Sequence, residues 1–411
     1  MIRFMRISPI SLIGTGCAAA LLLQATGSGP TATAADAAGA VRRTDPGIAA
    51  SSAPRTTSLA LEALAPIPRT DRSAGPLTAT RGLAARATAG YSLLGVSWDD
   101  PAATLDGSVQ VRTRAADRSG HGAWSDWRAL AADDEDRPDA GSAEQAGPRA
   151  RGATAPLWVG PSDGVEVRAG AAGALPAGLR VELVDPGTDG PAVAVPQAPQ
   201  ARALPSADYG APRPGIVTRA GWGADESIRE PDFVYTGTVK EVFVHHTDTG
   251  NDYTCADSPK LIRAIYQYHV QSNGWRDIGY NFLVDKCGTI YEGRAGGVDR
   301  PVLGAHTLGF NTDSSGVAAL GTFDSDQPVK AQLDGIAEIA AWKLGLTGQD
   351  AGSTVTLVSA SDGSRYPKGT AHTFNTISGH RDAFATDCPG DDLYGHLADL
   401  RAEASHLQGR Q

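Results

Sequence analysis

Residues 191–215, PAVAVPQAPQARALPSADYGAPRPG, separate two stretches of chain that follow different periodicities. Proline at this density removes backbone donors and fixes φ, so neither a helix nor an interior strand runs through the segment. It reads as an extended, semi-rigid linker, assigned to 191–212. Two folded units joined by a linker are expected, as the length of 411 residues already suggests.

Upstream, residues 89–190 hold short β-rich runs divided by Gly, Pro and Asp turns: YSLLGVSW, SVQVRTRA, AWSDWRAL, APLWVG, GVEVRAG and LRVELVDPG. Val109, Val111 and Thr113 alternate with polar neighbours, as do Val165 and Val167, which marks half-buried antiparallel strands. A small all-β, sandwich-like domain is expected, interrupted by one polar insertion, AADDEDRPDAGSAEQAGPRARG. Trp98, Trp124, Trp127 and Trp158 all fall here and are expected to fill its core rather than to form a sugar-stacking platform. Nothing in these residues names a role for the domain.

Downstream, residues 213–405 alternate strand and helix signals, so the second domain is expected to be α/β, a central sheet flanked by helices. KEVFVHH reads as a strand, and SPKLIRAIYQYHVQSNG as a helix with Ser258 as N-cap and Asn273-Gly274 as stop. GYNFLVDKCGTIYEGR reads as two strands joined by a turn, and PVKAQLDGIAEIAAWKLGL as a second helix.

The opening residues carry a different message. Arg3 and Arg6 precede the apolar stretch ISPISLIGTGCAAALLL and a small-residue region ending near Ala34, which predicts a secretory signal peptide over 1–34. Residues 35–88, rich in Ala, Thr, Ser, Pro and Arg, are expected to be a disordered leader. No later run approaches the ~18 apolar residues of a membrane span. The formal charge of −10, without any Lys/Arg cluster, excludes a nucleic-acid partner.

After loss of Cys17 with the signal, Cys255, Cys287 and Cys388 remain. An odd count in an oxidising compartment leaves one thiol in need of a reason to stay unpaired, and metal ligation is such a reason. Catalytic zinc takes three N, S or O ligands and keeps a position for water. The candidates are His245 or His246, His269, His306, His372, His380, His396 and Cys388. Strand alternation allows only one of the adjacent His245 and His246 to face a given pocket.

In order along 213 to about 400 stand TRAGWGA, VFVHHT, IRAIYQYHV, WRDIGYNFLV, GTIYEGR, GAHTLGFN, SSGVAALGTF, ISGHRD and TDCPG. Together these resemble the peptidoglycan recognition protein and zinc-dependent N-acetylmuramoyl-L-alanine amidase family. The resemblance implies one Zn2+ ligated by His245, His380 and Cys388, the first His of HHT being chosen by the family's His-any-Ser/Thr pattern. His246 is then expected to pack on the opposite face.

The family's catalytic Tyr falls on Tyr280 and a second polar catalytic position on Thr386, while Arg294, His306 and Asn311 resemble positions lining the muramyl-peptide groove. Many relatives follow this Arg with a Gly-Trp pair that favours diaminopimelate; here Ala-Gly-Gly follows, so stem-peptide preference stays open. The implied activity is hydrolysis of the amide between the lactyl group of N-acetylmuramic acid and L-alanine, by a secreted, cell-wall-associated monomer whose partner is peptidoglycan. With Cys388 given to the metal, Cys255 and Cys287 are expected to pair, tying helix entry to sheet edge.

Two other readings compete. Some relatives bind peptidoglycan without cutting it, having lost the Cys ligand, which Cys388 argues against. A thiol hydrolase with Cys388 as nucleophile leaves His245 and Tyr280 unexplained.

Overall fold

The computed structural model describes residues 53–64, 79–117, 122–131, 136–188 and 210–410. The signal expected at 1–34, most of the expected leader and most of the linker lie outside the described residues. No helix among the described residues is long and apolar enough to cross a membrane.

The first sheet is all antiparallel. Among the described residues it comprises β1 (Arg55–Ala60), β2 (Glu62–Ala63), β3 (Ala79–Trp98), β4 (Gly107–Ala115), β5 (Arg128–Leu130), β6 (Gly152–Ala153), β7 (Leu157–Ala171) and β8 (Arg180–Asp185). Its order is β1-β8-β3-β7-β4-β5, with β2 and β6 also paired to β3. Register shifts between β3 and β7 near Leu83 and Tyr91 bend the long strand, as bulges do, so that its second half pairs with β8 as well. The apolar alternation seen in sequence becomes the core: Val109, Val111, Val165 and Val167 meet Leu94, Val96, Val181 and Leu183.

Two expectations are corrected here. The leader expected to be disordered through residue 88 contributes β1, β2 and half of β3; β1 pairs along its whole length with β8. An edge strand is held by its ladder more than by apolar side chains, so RTTSLA shows little periodicity to read. Of the four tryptophans, Trp98 and Trp158 are buried, but Trp124 and Trp127 are half-buried, with the Arg112 guanidinium over both rings and Arg168 over Trp127 at 4.0 Å.

The second sheet is mixed. Its chain order is β9 (Ile216–Val217), α1 (Arg219–Trp222), β10 (Glu241–His246), α2 (Ser258–Gln267), β11 (Phe282–Val284), β12 (Ile290–Glu292), β13 (Ser314–Ala319), α3 (Lys330–Gly345), β14 (Thr354–Val358), β15 (Ala371–Asn375), β16 (Ile377–Gly379), α4 (His380–Ala383), α5 (Asp391–Gly395) and α6 (Leu397–Leu407). The strand order is β16-β10-β13-β11-β12-β9, with β14 and β15 as a separate hairpin. One face packs Val242, Val244 and Val317 against α3 and α6, and the other packs Leu283 and Ala318 against α2.

Helix α2 starts at Ser258 with Asp257, not Ser258, at the N-cap, and passes into a π turn at Tyr268–Ser272 before Asn273-Gly274. Cys255 and Cys287 are bonded, joining the entry of α2 to the β11–β12 turn.

The two sheets share a core rather than standing apart on a tether. Leu93, Trp158 and Val184 of the first cluster with Leu261, Ile265 and Tyr268 of the second. The Tyr268 hydroxyl donates to the Thr154 carbonyl at 3.0 Å, and the Arg151 amide to the Asn273 carbonyl at 3.0 Å. Gly274, at φ +75°, lies where a Cβ would come 1.9 Å from the Arg149 carbonyl oxygen, so the polar insertion runs directly along this backbone.

Candidate metal centre

Strand β10, EVFVHH, is buried at every position and lies between two parallel neighbours, β13 and β16. Sheets of this kind place sites beyond the carboxyl ends of such strands. Phe243 and His245 share one face; Val244 and His246 share the other. On β16, Gly379 pairs with Val244, so the next residue, His380, arrives beside His245 with ring centroids 4.6 Å apart. The following loop turns back where the Arg381 amide bonds the Cys388 carbonyl at 3.0 Å, which brings the thiol under the same pair. The donor atoms of His245, His380 and Cys388 all lie within 4.8 Å of one another.

A fourth donor comes from the other sheet's insertion. Asp136 Oδ1 lies 2.9 Å from His245 Nδ1 and 3.4 Å from His380 Nδ1, while Cys388 Sγ is 3.8 Å from His245 Nδ1. Yet Asp136 Oδ1 and both His380 ring nitrogens have no hydrogen-bond partner. Buried lone pairs that hydrogen bonds leave over, here on Asp136 Oδ1 and the His380 ring, are what ligands of a common cation show. Two ligands of one tetrahedral zinc, at bond lengths of about 2.0 to 2.3 Å, stand roughly 3.3 to 3.6 Å apart. The separations of 2.9, 3.4 and 3.8 Å bracket that range, and two imidazoles, a thiol and a carboxylate are all donors that zinc takes.

Burial sets the protonation. It pushes His245 down to about 3, with His246 adding to the effect, and holds His380 well below the ordinary imidazole value. Both rings are therefore neutral and offer lone pairs. Burial raises Asp136 to about 6 against the pull of His380 and the Tyr280 hydrogen bond. It also pushes the Cys388 thiol well up, the reverse of the depressed value that a thiol nucleophile needs.

The Tyr280 hydroxyl donates to Asp136 Oδ2 at 2.5 Å, and its ring packs on His245 at 5.6 Å. Thr386 Oγ1 accepts the Cys388 amide at 2.9 Å and borders the same small cavity, about 80 Å³. His246 accepts the Phe323 amide at Nδ1, on the face opposite the cluster, though it also borders this cavity at the strand end. His269 lines the cavity too, held by the Gly279 amide and packed 4.5 Å from Trp275. His372 instead stacks on Tyr366, and His396 meets Gln327, so neither joins the cluster.

The expected groove residues are brought near, but they face protein. His306 is fully buried against Phe243 and His245, over Gly316, where a Cβ would come 2.5 Å from its ring. Asn311 Oδ1 accepts the His306 and Thr307 amides, and its Nδ2 donates to Asp139 Oδ1 at 2.8 Å. Arg294 is 8 % exposed, with its guanidinium paired in bidentate fashion to Glu144 at 2.8 and 2.9 Å. The insertion covers Asn311 and Arg294, while His306 is enclosed by its own domain. Asp136, Asp139 and Glu144 went unnoticed in sequence because an acidic run ordinarily reads as a solvated loop, and only its density of carboxylates marked it.

Residues 235–391 match the family described as N-acetylmuramoyl-L-alanine amidase, and residues 46–202 match a family described as Rv3811 N-terminal galactose-binding domain-like. Peptidoglycan-recognition protein LE of Drosophila melanogaster is 39 % identical over 119 residues, 29 % of this chain and 33 % of that protein. The human N-acetylmuramoyl-L-alanine amidase is 32 % identical over 192 residues, 45 % of this chain and 28 % of its own length. The chain thus spans a third or less of these two relatives. The solved structure of wild-type Drosophila PGRP-LB aligns at 26 % identity and a TM-score of 0.35 over 44 % of this chain and 92 % of that one. Residues 235–391 thus match the N-acetylmuramoyl-L-alanine amidase family, with peptidoglycan-recognition proteins among the similar relatives, and residues 46–202 match a galactose-binding-like family.

Proposed function

We propose that this chain is a secreted, zinc-dependent amidase that hydrolyses the bond between the lactyl group of N-acetylmuramic acid and L-alanine in peptidoglycan. The observation that carries the reading is the convergence of His245, His380 and Cys388 donor atoms within 4.8 Å at a strand end. A zinc ion bound there lowers the pKa of a water toward ~7 and polarises the scissile carbonyl.

The chain's own groups supply the rest. Tyr280 directs its hydroxyl at the carboxylate that fills the open side of the cluster, and in a substrate complex the same proton meets the oxygen that takes that place. There it stabilises the charge developing on the carbonyl oxygen rather than acting as a base. Thr386 accepts the Cys388 amide through its oxygen, which fixes the ligand loop and leaves the hydroxyl proton for a second donor role. Arg294 offers a planar fork for a stem-peptide carboxylate, the group it already grips in Glu144. The Cys255–Cys287 bond supports an oxidising compartment, in keeping with the signal read at 1–34. The presence of all three ligands favours catalysis over binding alone.

The test is release of free L-alanine amino termini from purified peptidoglycan before chelation, after it, and after zinc return. Chelation should abolish release and zinc should restore it. Release that persists without metal would refute the mechanism.

A further inference from the structure

The acidic insertion engages both ends of the site at once. Asp136 Oδ1 approaches the two ligands His245 and His380 and its Oδ2 accepts from Tyr280, Asp139 Oδ1 accepts the Gly309 amide at 2.6 Å together with Asn311 Nδ2, and Glu144 takes Arg294 and the Arg276 amide. Asp136 and Glu144 are themselves buried. The free space left at the cluster, about 80 Å³, is well below the ~300 to 1,000 Å³ of a site that admits a small organic ligand. A cavity of about 380 Å³ lies on the other flank of the segment, lined by Asp136, Pro138 and Trp98 among others, so the loop is not packed tightly on both sides.

We propose that residues 136–144 are a built-in occupant of the substrate groove: Asp136 is the fourth protein ligand of the metal, and Asp139 and Glu144 hold the groove's Asn311 and Arg294, so that the intact chain is latent toward muramyl peptides. The proposal rests on the amidase reading for the identity of the metal and of the displaced ligand. Its logic is chemical likeness. A stem peptide presents backbone amides and carboxylates, and the segment presents carboxylates on a short backbone at the same places. Each contact made by the insertion is one that a muramyl peptide cannot make while the insertion stays. Asp136 Oδ1 has no hydrogen-bond partner although it is buried, which a metal bond would remedy. The occupant is intramolecular, so its effective concentration is high, and a free ligand binds more weakly by the fraction of molecules in which the segment has left.

The experiment compares the full chain with its Asp136→Ala/Glu144→Gln form. Zinc affinity is read by competition with a chromophoric chelator, muramyl tripeptide affinity by calorimetry, and hydrolysis by free L-alanine amino termini. The variant should bind zinc about 10- to 100-fold more weakly, a smaller loss than for His380 or Cys388 because water can take the place of the carboxylate. It should bind the tripeptide about 10- to 100-fold more tightly and cut faster. Unchanged affinity for both zinc and tripeptide in a folded variant overturns the proposal. If both affinities shift as expected but neither form releases amino termini, the occupancy stands and the hydrolase reading falls. Hydrogen exchange on the unaltered chain removes dependence on the variant's folding. Zinc alone should slow exchange in residues 137–141, and tripeptide should speed it; zinc bound without any slowing there overturns Asp136 as a ligand.

Discussion

The insertion meets the α/β domain at two ends of one groove, and the two ends are built on different terms. At the arginine end, Glu144 finds a fixed cation in Arg294, forms two hydrogen bonds and needs nothing more. At the metal end, Asp136 meets neutral imidazoles and a thiol, and Oδ1 is left without a hydrogen bond. A buried carboxylate is costly unless a charge answers it. The first end is complete as a protein; the second is complete only with a cation.

The largest expected effect breaks the metal end. His380→Ala or Cys388→Ala should weaken zinc binding at least ~100-fold, more than loss of a supporting contact does, and take hydrolysis below detection. Stoichiometric zinc in either purified variant would remove that residue from the ligand set. Breaking the arginine end should act on stability instead. Arg294→Met leaves Glu144 buried and unpaired and should cost about 3–5 kcal/mol in urea denaturation, while Arg294→Met with Glu144→Met should recover most of it. Equal losses in the single and double variants would mean that the pair is not coupled.

Tyr280→Phe sharpens the comparison from within the metal end. With zinc retained, kcat should fall roughly 10²- to 10³-fold at nearly constant KM, as for loss of one oxyanion donor. A change in KM alone would assign the hydroxyl to ground-state binding.

The smallest effect concerns a third buried acid, Glu241 at the start of β10, which no arginine or metal cluster answers. Burial holds its carboxyl well above the ordinary value, with Ser378 offsetting part of the effect. A raised folded-state value means that the proton favours the folded state. The associated stability is full below the unfolded carboxyl value near ~4.3 and is lost as pH rises through the folded one. Glu241→Gln should therefore gain stability relative to wild type as pH rises from 5 to 8, by up to ~1.4 kcal/mol for each pH unit below the folded value. A pH-independent difference between the two urea midpoints would show that Glu241 does not titrate across this range.

How far the sequence disclosed these ends follows from distance along the chain. VFVHHT, GHRD and DCPG are compact, and strand parity with the H-x-T spacing separates His245 from His246 before any coordinates. The two sheets are likewise written in period-2 runs and in alternating strand and helix signals. Asp136 and Tyr280, by contrast, are 144 residues apart, and Glu144 and Arg294 are 150 apart. No local periodicity encodes such a meeting, and an acidic loop looks the same whether it is solvated or buried. Strand β1 escaped for a related reason: its order comes from its ladder with β8, more than a hundred residues away.

The same long separations give the ligand cluster a second consequence, in chain topology. His245 and Cys388 stand 143 residues apart, whereas the bridge between Cys255 and Cys287 spans only 32. A tie across a loop of a hundred residues or more removes more freedom from the unfolded chain than a short one, worth about 4–5 kcal/mol on the disulfide scale. An ion held there would be a reversible cross-link laid over a permanent one. Its removal should appear as a lower melting temperature even where no substrate is present.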